Sequence, residues 1–170
     1  IQTLAEAGET ADAIVTSLKK GDKASGSDQF FTQSAINFLS AAIFFLAKHQ
    51  QGQYSTLPHL RAVVSLPYDK IFDHLVAMIE LHSLLSPFKS AYDNKSFDQL
   101  EGQIGTLRIN ISRLATKETF WVFSASDFDL KISNPPSVLV LANNDKGQNI
   151  NSAFFASLLM RIIRLVNTPG

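Results

Sequence analysis

The sequence predicts a mainly α-helical protein, a bundle of six or seven helices closed by a short C-terminal strand–turn–helix fragment of an α/β domain. Three observations predict it. Apolar residues recur at alternating steps of three and four, most regularly at Phe97, Leu100, Ile104, Leu107, Ile111 and Leu114. The stretch from Phe30 to Leu46 is apolar around most of a helical circumference, the pattern of a helix surrounded by others. A β-branched and Leu run of strand length, Ser137 to Ala142, lies between Asn134-Pro135-Pro136 and a final helical pattern. With 45% hydrophobic and 18% charged residues in a chain of 170, there is enough apolar side chain to bury a core.

The elements follow in order. Leu4, Ala7, Ala11, Ile14, Val15 and Leu18 share a helical face, acids stand early and Lys19 and Lys20 late, and Gly21 suits a left-handed cap, so a helix spans about residues 3–20. Ser27 or Asp28 caps a second helix reaching Lys48, whose polar stripe is only Gln29, Gln33, Asn37 and Ser40, with Phe44 continuing it as the odd residue. Thr56 caps a short helix with Pro58 in its first turn, and Pro67 ends it. Tyr68 to Leu85 reads as one helix with Ile71, Phe72, Leu75, Val76, Ile79 and Leu84 on one side; Ser86-Pro87 interrupts before a piece from Phe88 to Tyr92. The regular seam makes Ser96 to Ala115 a long helix despite Gly102 and Gly105. Lys117 to Leu130 has no clear periodicity. Asn143 to Gly147 is a turn, and Asn149 to Val166 a helix whose polar stripe is Ser157, Arg161 and Arg164, as for a helix laid on a sheet. The core is expected at Phe31, Phe38, Leu39, Ile43, Leu46, Leu100, Ile104, Leu107 and Ile111.

Fifteen basic residues cancel fifteen acidic ones, so no whole-domain field holds a polyanion. The absence of Cys excludes disulfides, thiol nucleophiles and Cys-ligated metals, and fits a cytoplasmic setting. The chain opens Ile1-Gln2-Thr3 without a targeting pattern or initiator Met, and is expected to be a piece of a longer protein. Its most apolar stretch, Ala35 to Ala47, is shorter than the roughly 20 residues of a membrane span, so no membrane contact is expected of it.

No catalytic frame is apparent. His49, His59, His74 and His82 show neither i, i+4 spacing nor a His-Glu-x-x-His frame, so no metal site is assigned. Asp69 and Asp73 read as the solvated start of a helix, and neither a Gly-x-Ser-x-Gly elbow nor a phosphate loop occurs. The residues left as candidates for DNA or partner contact are Lys19, Lys20 and Lys23, the densest basic cluster; Arg108, Arg113 and Lys117 along or just beyond the long helix; and Phe44, whose alternative is burial against a neighbouring helix.

Several stretches together resemble the type IV secretion coupling proteins, the ATPases that pass DNA and relaxase to the channel in conjugation and mobilisation. They are Asp28-Gln29-Phe30-Phe31, Leu84-Leu85-Ser86-Pro87-Phe88, the run Phe97 to Leu107, Ile111-Ser112-Arg113-Leu114-Ala115, Asp127-Phe128-Asp129-Leu130 and Val138-Leu139-Val140-Leu141-Ala142-Asn143. The resemblance implies that residues 1–116 are an all-helical substrate-recognition domain and 117–170 a linker, strand and helix returning to a nucleotide-binding domain. It implies a relaxase or relaxosome partner, weaker contact with DNA, and a hexameric parent attached to the inner membrane. ATP and Mg belong to that parent. The family's Walker A is expected before this chain and its Walker B after it, so no ATP-site residue is placed here. The alternatives are an enzyme domain with a site of another kind and a purely structural helical scaffold.

Overall fold

A computed structural model describes residues 1–18, 26–125, 130, 136, 138–142 and 148–167. They form a mainly helical fold. The helices are α1 (Leu4–Leu18), α2 (Gly26–Lys48), α3 (Leu57–Val64), α4 (Tyr68–Val76), α5 (His82–Leu85), α6 (Lys89–Asp93), α7 (Phe97–Leu114), α8 (Lys117–Val122) and α9 (Gln148–Asn167).

α2 is central. It touches α1 on one side and α3, α4, α5 and α7 on others, so most of its circumference is buried as its sequence requires. Phe38, Phe72 and Phe88, all fully buried, close a triangle of rings with centroids 5.8 to 6.2 Å apart. The α7 seam meets this cluster through Leu100, Ile104, Leu107, Ile111 and Leu114.

One expectation about burial is corrected and one alternative is decided. Phe31 is 43% exposed and pairs edge-on with Phe30 at 5.7 Å, because the described neighbours of α2 leave its first turns uncovered. Phe44, for which the sequence leaves burial against a neighbouring helix and a partner contact as alternatives, is 5% exposed, with α1, α3, α4, α5 and α7 packed around α2; Lys48 Nζ stands 5.2 Å above its ring and donates to Gln2 O. Ser40 is covered too, its hydroxyl donating to Ile36 O.

The helix expected over residues 68–85 is broken. α4 ends at Val76, Met78 is extended (φ −94°, ψ 112°), and a 3₁₀ turn, Ile79–Leu81, leads into α5. His82 Nε2 donates to the Val76 carbonyl that the helix end frees, and Val76 and Ile79, expected inside, face solvent. α8 begins on a reciprocal cap: Thr116 Oγ1 accepts from Thr119 N, and Thr119 Oγ1 accepts from Thr116 N. The spacing Thr-x-x-Thr is a readable signal for this helix, which periodicity alone misses.

The expected strand is not formed. Residues 138–142 are irregular, no strand occurs among the described residues, and Ser137 and the turn 143–147 lie outside them. A strand needs a paired neighbour, and the described residues supply none. The final helix is present but turned differently from its expected arrangement. Arg161 and Arg164, expected on an outer stripe, face α1, where they pair with Glu6 at 3.5 and 3.8 Å; Arg164 also bonds Glu9. Phe154 is buried and stacks on Phe123 at 4.3 Å, while Leu159, Met160, Ile163 and Val166 are left exposed.

The second helix region, Gln29–Gly52, is long and apolar enough to cross a membrane by length and composition, and 56% of its most apolar window is buried inside the fold. The 13-residue stretch read from the sequence underestimates it.

Candidate functional site

Lys19, Lys20 and Lys23 lie outside the described residues. Arg108 is not a free surface cation. Its guanidinium donates to Ser65 O at 3.0 Å and Leu66 O at 3.2 Å, stacks 4.7 Å over the Tyr68 ring and stands 3.7 Å from Glu101. Tyr68 in turn donates to Glu101, and burial together with that bond pushes its hydroxyl up to about 12. The group fastens α7 to the end of α3 and the start of α4, so the first role of Arg108 is to hold helices together. Arg113 and Lys117 are exposed, the first beside an open hollow that includes Arg108, Ile109 and Ser112. Phe44, as a core residue, offers no surface for a partner.

The structure instead assembles residues that spacing keeps apart. His74, Phe45, His49, Tyr54 and His59 form a continuous row of five rings, with successive centroids 6.1, 5.4, 6.1 and 5.0 Å apart. They come from α4, α2, the turn after α2 and α3, with the three imidazoles exposed. The turn is what brings them together. Gln50, Gln51 and Gly52 are consecutively left-handed (φ 44°, 59° and 79°), reversing the chain so that Tyr54 returns against His49. Gly52 is required twice over: its φ is positive, and a Cβ there would lie 3.2 Å from Ala47 O. Thr56 then caps α3 by position, but its hydroxyl bonds His59 Nδ1 at 2.7 Å, fixing that ring.

Beside the row runs a cleft of about 240 Å³, floored by Leu46, Val63, Leu66, Ile71 and Leu75. Among the described residues no three His, Asp or Glu side chains stand close enough to share a metal ion. A second hollow of about 150 Å³ lies between Phe72, Val76, Leu85 and Tyr92. Beyond it, Asp73 on α4 accepts from the Tyr92 hydroxyl. A wider apolar groove, about 520 Å³, separates α1, α2 and α3 from Phe123, Phe154 and Leu158.

Two apolar surfaces lack a partner among the described residues: Leu159, Met160, Ile163 and Val166 on α9, and Val138 with Val140 in the irregular segment before it. The chain matches no protein-family model, no curated protein and no solved structure.

Proposed function

We propose that the chain is the helical substrate-recognition part of a type IV secretion coupling protein, joined to a returning segment of its motor domain. The observation that carries the reading is the open apolar surface at the C-terminal end. A β-branched segment with Val138 and Val140 exposed, followed by a helix whose apolar side is open, is what a strand–turn–helix unit presents when its sheet lies outside the chain.

In this reading residues 1–116 recognise substrate and 117–170 lead back to the nucleotide-binding domain. The module binds relaxase or a relaxosome protein, with DNA a weaker ligand, and has no catalysis, metal or nucleotide of its own. ATP and Mg act in the cytoplasmic motor of the hexameric parent. Net charge zero argues against holding DNA by bulk field, and Arg108 is already engaged, which leaves protein contact as the better-supported mode.

The test is binding of the purified chain to relaxase and to single-stranded DNA at about 50 and 200 mM salt, a range over which several phosphate contacts lower DNA affinity by orders of magnitude. Relaxase binding that survives the higher salt supports the reading. Tight DNA binding with a steep salt slope and no relaxase binding overturns it, as does stoichiometric ATP turnover by the chain alone.

A further inference from the structure

We propose that α9 is a releasable strap, a helix held on α1 largely by charge, which salt detaches while the bundle around α2 and α7 stays folded. The inference goes beyond the coupling-protein reading and does not need it, because it rests on the contacts of α1 and α9 alone.

How a helix is fastened decides how it comes off. α2 and α7 are held by rows of buried apolar side chains against several neighbours each, so they open only when the whole bundle does. α9 is fastened otherwise. Over its 20 residues it packs at length on one described element, α1, and Phe154 is the one described side chain of the helix that is buried. The apolar contact beneath it is incomplete. A groove of about 520 Å³ separates Phe154 and Leu158 from Ile14, Ile43, Leu46 and Leu60, so the attraction that close packing would supply is missing there. The stack of Phe154 on Phe123 is the apolar anchor that remains.

Charge supplies the other half of the fastening. Glu6 and Glu9 stand one turn apart on α1, and Arg161 and Arg164 one turn apart on α9. Arg161 lies 3.5 Å from Glu6, and Arg164 lies 3.8 Å from Glu6 and bonds Glu9, so the contacts share partners and fail together. The Gln2 N–H holds the Glu6 carboxylate in place at 2.6 Å. The four side chains keep between 19% and 48% of their surface in solvent, so dissolved ions reach them. The screening length falls from about 10 Å at 0.1 M salt to about 3 Å at 1 M, close to the separations of the pairs themselves, whereas apolar burial is not screened. Salt therefore removes one half of the fastening and leaves the core of the bundle untouched. On release α9 carries Leu159, Met160, Ile163 and Val166 away from the bundle and uncovers the groove wall at Ile14.

Amide hydrogen exchange, followed by mass spectrometry on the whole chain at about 50 mM and about 1 M NaCl, reads the release directly. A helix owes most of its stability to packing, so a detached α9 loses its amide protection. Peptides from α9 should lose about tenfold in protection at the higher salt, a few-fold for each exposed ion contact, while those from α2 and α7 hold theirs. Glu6→Gln/Glu9→Gln should exchange α9 fast already at low salt and respond little to more. Arg161→Gln/Arg164→Gln should do the same from the other helix, and keeps the test open should the first variant misfold. Reversing all four charges, with Arg at 6 and 9 and Glu at 161 and 164, should restore both the protection and its loss in salt, which a steric role for the side chains would not. Protection of α9 that is indifferent to salt, an equal loss in α2 and α7, or folded Gln variants that exchange like the parent overturns the proposal.

Discussion

Replacing Phe38 by Ala tests the centre of the fold. The ring is fully buried and meets both Phe72 (5.8 Å, tilted) and Phe88 (6.2 Å, edge-on), so truncation removes its buried area and both ring contacts and leaves a cavity. Such a change costs about 3–5 kcal/mol. Phe38→Leu separates the contributions: much of the bulk remains, and the loss is chiefly two aromatic pairs at about 0.5–1.5 kcal/mol each, or about 1–3 kcal/mol. For a domain of this size 1 kcal/mol moves the melting point by about 2–4 °C, so Phe38→Ala should lower it by about 6–20 °C and Phe38→Leu by about 2–12 °C. Phe31→Ala is the control. Sequence spacing puts both residues in the core, yet Phe31 is 43% exposed and its loss should cost less than about 1 kcal/mol. Urea unfolding followed by circular dichroism measures all three. If Phe31→Ala costs as much as Phe38→Ala, the placement of α2 is wrong.

The two faces of glycine should separate by calorimetry: Gly52→Ala, at positive φ and against Ala47 O, should lose about 1–2 kcal/mol, while Gly102→Ala, on a helix with open space for a Cβ, should gain up to about 1 kcal/mol. The Tyr92 hydroxyl, pushed up to about 12 by its bond to Asp73 and then by burial, should return towards 10 in Asp73→Asn, as read by tyrosinate absorbance. The Glu6 carboxyl is held below its ordinary 4.5 chiefly by the Gln2 N–H, with Arg161 and Arg164 adding to it against desolvation. A depressed carboxyl stabilises the fold above its unfolded value and loses that effect as pH falls through the folded one. The stability difference between the parent and Glu6→Gln should therefore shrink as the pH is taken below about 4.5, and a difference that stays constant would refute the assignment.

The sequence by itself determined that the chain is mainly helical and where its regular helices run. The α7 seam and the apolar girth of α2 are local patterns, and regular spacing needs no knowledge of what lies opposite. It also determined that no phosphate loop, thiol or serine elbow is present, because those are matters of residue identity and short-range order. Tertiary structure decided the rest, for one physical reason. Spacing gives the direction of a side chain about its helix axis, whereas burial depends on what stands in that direction. Phe31, expected inside, is thus exposed, and Phe44, for which burial and a partner contact were both open, is buried, since neighbours cover the later half of α2 and leave its first turns bare. Arg161 and Arg164 turn inward because Glu6 and Glu9 await them on α1, 155 or more residues away. The run at 138–142 has the composition of a strand but no edge to pair with among the described residues. The row from His74 to His59 crosses three helices and a left-handed turn, and no interval in the sequence encodes it.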